Sequence, residues 1–192
     1  YGLAINCGIG FSITNDTELY NYLDTMRTQP FILAMQAEGR EWVTTFSEAA
    51  RNSFDYVFTD AMTFLDHKGR RTHLWVNKEV IIDDEQAYMD MMLARICSVL
   101  EEPVDMYVNS CFLPDAMSDR YDMFWTEERI DRFVNALAKS GKALEINELY
   151  HIPNKAIIQK AKAAGVKFTF GSNNITPEVG TLDYCILSLI HI

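Results

Sequence analysis

The sequence predicts an α/β protein built as a (β/α) barrel, and two observations carry that expectation. Short continuous apolar runs alternate with longer stretches of helical periodicity, about six times along the 192 residues. Each apolar run also ends in polar groups. The runs at 1–6, 31–36, 56–59, 105–109, 143–146 and 167–170 read as strands buried on both faces of a parallel sheet. Parallel strands need crossovers, and six or more such repeats can close into a barrel. An open doubly wound sheet is the alternative. The first turn, NCGIGFSITND, lacks the rest of a dinucleotide fingerprint, and there is no Walker motif, so no nucleotide site is read.

The segments between the strands carry helix signals. In 83–101, acids open the helix, and Met89, Leu93, Ile96 and Leu100 share a face. Thr126 is a good N-cap, with Glu127 and Glu128 behind it. Ile130, Phe133, Val134 and Leu137 then form a stripe, and Lys139-Ser140-Gly141 ends it. Pro153 opens the next helix and Gly165 closes it. Weaker signals mark 16–27, 47–52 and 179–188. No repeat or low-complexity linker appears, so 1–192 is read as a single, incomplete barrel domain.

Composition narrows the function classes. With 48% apolar residues the chain can bury a real core, so disorder is not the expectation. A net charge of −10 argues against a nucleic-acid partner and against anionic membranes. Cys7, Cys97, Cys111 and Cys185 form no C-x-x-C pair, so neither a structural zinc site nor a disulfide framework is read, and a cytoplasmic location fits best. Cys97 reads as a buried thiol. Cys111 lies at a strand end with no nearby His to activate it. No signal peptide or membrane-length apolar run is visible.

The strand ends hold the chemistry. Asn6 follows the first strand, Gln36 and Glu38 the second, Thr59 and Asp60 the third, Asn109 the fourth. Glu145 and Asn147 lie at the fifth, and Ser172, Asn173 and Asn174 follow the sixth. In a barrel these ends face the active-site mouth. Loops after strands are polar in any case, and Asn and Asp suit the turn before a helix. Glu145 is harder to explain that way. It sits between Leu144 and Ile146, where a carboxylate must be paired, ligated or hydrogen-bonded, and alternation would aim it at the mouth. In LDHKGRRTHLW, Arg70 and Arg71 are candidates for binding an anionic substrate. A solvated hairpin turning at Lys68-Gly69 is the favoured reading of that segment.

ALEIN, the basic stretch IPNKAIIQKAKAAG, VKFTFGS, and then a Pro and a Gly before a last helix resemble the final two βα units of the polymerase-and-histidinol-phosphatase (PHP) superfamily. Earlier strand ends match more loosely. The resemblance implies a seven-stranded TIM-like barrel whose first strand, the one carrying a D-x-H-x-H metal motif, is missing here. It also implies a phosphoesterase using zinc, manganese or iron. Glu38 then looks like a bridging metal carboxylate, and Asp60 or Thr59 lies near the position of a His ligand. Asn109 stands where a His usually ends the strand. The family's G-S-D-x-H reads Gly171-Ser172-Asn173-Asn174-Ile175, so Asn173 replaces Asp and Ile175 replaces His. Asn is a weak ligand and Ile none. His67, His73, His151 and His191 all lie away from ligand positions.

The expected function is a metal-dependent hydrolase acting on a phosphoester or a related small anionic molecule. Glu38 and Asp60 are its metal ligands, and Asp60 and Glu145 its catalytic carboxylates. Asn109, Asn173, Asn174, Arg70 and Arg71 bind substrate. One alternative is a degenerate barrel binding a small polar ligand such as a sugar. Another is an amidohydrolase-type metal enzyme, although no strand end carries the Lys that marks some of that class. The chain starts at Tyr1 and stops in LSLIHI, so both ends read as cut, and the last few residues are suspected to be non-native. A barrel short of one strand is expected to be poorly soluble.

Overall fold

The computed structural model describes residues 2–66, 68–174, 176 and 180–190. In chain order the elements are β1 (Gly2–Cys7), α1 (Asp16–Met26), β2 (Ile32–Ala37), α2 (Trp42–Thr45), α3 (Glu48–Arg51) and β3 (Tyr56–Thr59). A small hairpin follows, β4 (Thr63–Leu65) and β5 (Arg71–His73), and then α4 (Glu85–Val99) and β6 (Met106–Tyr107). The rest is α5 (Asp115–Ser118), α6 (Tyr121–Phe124), α7 (Glu127–Ser140), β7 (Ala143–Asn147), α8 (Lys155–Ala163), β8 (Phe168–Gly171) and α9 (Asp183–Ile190).

Six strands form one parallel sheet in the order β1-β2-β3-β6-β7-β8. This corrects the expected closed seven-stranded barrel. The sheet is open: among the described residues β1 and β8 are its edges, and neither pairs with the other. Closure needs a common tilt and stagger that carries the last strand back to the first. Six strands do not complete that circuit here, and β6 pairs with each neighbour through only two residues. The order also never reverses, so the doubly wound alternative does not hold either.

Local signals explain most of the helices. Asn15, Ser47, Asp84, Thr126 and Asn154 each cap a helix N-terminus with a side-chain oxygen. Gly141 ends α7 at φ 72°, a left-handed position that glycine takes without strain. The Gly69 N–H donates to the Asp66 carbonyl and the Asp66 N–H to the Arg70 carbonyl, in keeping with the hairpin turn expected at Lys68-Gly69. The helix expected at 179–188 runs from Asp183 to Ile190, and Val179 lies outside the described residues.

The core has three parts. Leu19, Leu23, Met35 and Trp42 pack α1 and α2 on the β1–β3 side. Leu93, Ile96, Tyr107, Phe133, Leu144 and Ile157 join α4, α7 and α8 to β6 and β7. Ile146, Ile158 and Cys185 seat α9. Leu144 and Ile146 therefore face helices, and Glu145 between them is left to point the other way.

Candidate functional site

The C-terminal ends of the six sheet strands carry two hydrogen-bonded clusters at one rim, one around Glu38 at β1 and β2 and one around Asp60, Asn109 and Glu145 at β3, β6, β7 and β8, and the charges of Glu38 and Asp60 act on each other. Parallel register puts Asn6 beside Gln36 and Glu145 beside Thr169, so strand-end side chains gather at one rim. Glu38 is buried, and each of its oxygens is engaged. Oε1 accepts from Asn6 Nδ2 (2.7 Å) and Gln36 Nε2 (2.9 Å), and Oε2 accepts from Thr63 Oγ1 (3.1 Å). The loop from β1 can approach because residue 8 is glycine: a Cβ there would lie 3.1 Å from the Glu38 carbonyl carbon.

Asp60 is also buried. Its Oδ1 accepts from the Met62 amide (2.9 Å) and its Oδ2 from Asn109 Nδ2 (2.8 Å). The Asn109 amide N–H donates to Glu145 Oε2 (2.7 Å), which also accepts from Asn147 Nδ2 (3.2 Å). Asn109 Oδ1 accepts from Asn147 (3.0 Å) and Asn173 (3.4 Å). Asn109 thus joins the ends of β3, β7 and β8. Asn109 and Asn173 both sit at φ 46°, and Cys111, two residues after Asn109, and His151, in the loop after β7, are left-handed too. Such backbone is uncommon outside glycine and concentrates at functional sites.

Burial sets the electrostatics. It pushes Glu38 up to about 8, and the negative charge of Asp60 adds to the shift. Burial also raises Asp60 against the opposing hydrogen bonds of Asn109 and Met62 and the charge of Arg40. Glu145 is raised first by burial, while its bonds from Asn109 and Asn147 pull the other way.

Of the residues singled out in the sequence, Glu38, Asp60, Asn109, Glu145 and Asn173 come together. Asn174 does not join them: it accepts from Ser172 Oγ (2.6 Å) and donates to the Thr176 carbonyl (2.9 Å). Arg70 pairs with Asp66 on the hairpin (2.6 Å), and Arg71 pairs with Glu41 (2.7 Å). His67, Ile175 and His191 lie outside the described residues. Arg40 and Thr63 escaped the sequence reading. Arg40 donates to Thr59 Oγ1 (3.0 Å) and the Asp60 carbonyl (2.8 Å) and pairs with Glu102 (2.7 Å), which also holds Trp42 Nε1 (2.6 Å). Its signal was a lone cation two residues beyond a strand-end carboxylate.

The described residues of the rim do not fit a metal ion. Among the described residues no group of three or more His, Cys, Asp and Glu side chains could hold one. The oxygens of Glu38 and Asp60 instead receive amide, hydroxyl and backbone protons.

Fold and rim together define a parallel α/β protein with buried carboxylates and amides converging at its strand ends. No family model matches the chain, and no curated protein matches it. Seventeen chains of solved structures do. One is a histidinol phosphate phosphatase from Lactococcus lactis, solved with zinc, L-histidinol and phosphate. It superposes with a TM-score of 0.62 at 13% identity, over 99% of this chain and 80% of the phosphatase. That likeness shows a fold shared with this phosphatase. No helix among the described residues is long and apolar enough to cross a membrane.

Proposed function

We propose that this chain is a hydrolase of the phosphoesterase type, acting on a small molecule at the strand-end rim. The observation that carries the reading is the convergence of Glu38, Asp60 and Glu145 with Asn109, Asn147 and Asn173. The fold shared with a phosphatase supports it.

Asp60 and Glu145 are the proton carriers in this reading. Burial raises both, so each holds a proton closer to neutrality than a free carboxyl does. The ionised member takes a proton from water as it attacks phosphorus. The protonated member gives one to the leaving alkoxide as the P–O bond breaks. Glu38, at about 8, is largely protonated at neutral pH, which limits repulsion of an anionic ester. Asn109 and Asn173 orient the substrate oxygens. No step is assigned to a cation, because the described residues supply no ligand set for one.

The test is phosphate release from a panel of phosphomonoesters, after chelation and again with zinc or manganese added. Release is expected, and it is expected to be lost in Asp60→Asn and Glu145→Gln with the circular dichroism spectrum unchanged. No release from any ester under any of these conditions refutes the proposal. A second reading, a barrel-like sheet that binds a neutral polar ligand without chemistry, is favoured by the saturation of Glu38 and Asp60 with hydrogen-bond donors. Thermal stabilisation by such ligands without phosphate release would select it.

A further inference from the structure

A cavity of about 600 Å³ opens between the loops after β5, β6 and β7. That volume lies within the range used for small-molecule sites. Its walls are unusually aromatic. Trp75 is 44% exposed, Leu149 and Tyr150 are also exposed, and all three line the same cavity. Large apolar side chains gathered on a surface mark a binding site more often than chance exposure does. Buried Leu74 anchors one side of the Trp75 backbone, and the Val76 N–H closes a turn onto the His73 carbonyl (3.0 Å).

The cavity is tied to the rim. The Tyr150 N–H donates to Asn147 Oδ1 (3.0 Å), and Asn147 in turn holds Asn109 and Glu145. Phe112, three residues after Asn109, meets the Tyr150 ring edge-on at 5.0 Å. Tyr150 itself lines the cavity, and its hydroxyl is raised by burial and then by the charges of Asp60 and Asp115.

The polar groups of the cavity narrow the ligand. Asp115 offers an exposed carboxylate whose Oδ2 accepts from Asn77 (2.8 Å). Among the described residues the buried Tyr121 hydroxyl meets the Cys111 thiol and makes no hydrogen bond to nitrogen or oxygen. A carboxylate disfavours an anionic ring and can accept from hydroxyl groups. The negative face of an indole attracts the C–H face of a sugar ring, as it attracts other positive edges. We propose that this cavity binds a hexopyranose ring, with Trp75 as its stacking platform and Asp115 as an acceptor for its hydroxyls. The ligand at the rim is thereby a sugar derivative. This rests on the reading of the rim as a ligand site, and not on hydrolysis there.

The test uses tryptophan fluorescence. Trp42 and Trp125 are buried, so quenching by an added ligand reports Trp75. The probes are the methyl glycosides of glucose, galactose and N-acetylglucosamine, with open-chain sorbitol as control. At least one glycoside is expected to quench saturably in the millimolar range, and sorbitol is not. By calorimetry, Trp75→Ala and Asp115→Asn should each weaken binding about ten-fold, while Trp75→Phe retains it. The inference is overturned if no glycoside saturates, if sorbitol binds as well, or if both weakening variants bind like the parent. Phosphate release plays no part in this readout, so the hydrolase proposal can fail without it, and the reverse.

Discussion

Replacing Gly171 with alanine should disorganise the rim from a residue that carries no chemistry. A Cβ at this position would collide with Glu145 Oε1, and would lie 2.6 Å from its carboxyl carbon and 3.2 Å from Cγ. Because the stem is crowded as well as the tip, a rotation of the carboxylate alone does not clear the clash. Glu145 must move by about 1 Å, which breaks or stretches its bonds from the Asn109 amide (2.7 Å) and Asn147 (3.2 Å). Hydrogen bonds to a charged group contribute ~1.5–3 kcal/mol each, and alanine in an extended strand returns ~0.4–1 kcal/mol through the unfolded chain. With one of the two bonds lost, the net expectation is a loss of ~0.5–2.6 kcal/mol, read by urea unfolding followed by circular dichroism. In a Glu145→Ala background the obstacle is gone, and Gly171→Ala should be neutral or slightly stabilising. The reasoning is refuted if Gly171→Ala is as stable as the parent, or if it costs the same in both backgrounds.

Two further expectations follow from the buried groups. Glu38 holds its proton up to about 8 in the fold, against an ordinary value near 4.5, so the native state binds the extra proton between those limits. Stability should be full below about pH 4.5 and decline as pH rises towards 8; Glu38→Gln, which keeps an oxygen for Asn6 and Gln36, should flatten that slope in unfolding measured across pH. Among the four free cysteines, Cys7, Cys111 and Cys185 are buried with thiols pushed up by burial, whereas Cys97 is partly exposed. A maleimide at neutral pH should therefore label native protein at Cys97 first, and mass spectrometry showing another site first would contradict this.

Strands were legible where apolar residues run without interruption. Tyr56–Thr59 matches its expected span, because four apolar or β-branched residues end abruptly at Asp60. The strand expected at 105–109 keeps only Met106–Tyr107. Asp105 turns its carboxylate to the Val57 amide, and Asn109 leaves extended geometry at φ 46°. Neither event has a hydrophobic signature. Closure was misread for a related reason: repeat number describes how many strands exist, but not whether the first and last come within bonding distance. Glu145 was legible because a carboxylate inside ALEIN contradicts its neighbours. Arg40 was not, since its partners Thr59, Asp60 and Glu102 are 19 to 62 residues away and meet it only after folding. The aromatic cavity was hidden likewise, because Trp75, Phe112 and Tyr150 reach it from three separate loops.

The two unpaired flanks of the sheet also bear on how copies of this chain would behave at high concentration. β1 and β8 run in the same direction, yet they are different surfaces on opposite sides. A backbone bond between such flanks joins unlike faces, so each union leaves one of either kind vacant at the extremities. Association by that route would grow as an open-ended filament and not stop at a symmetric pair, unless something caps a flank first.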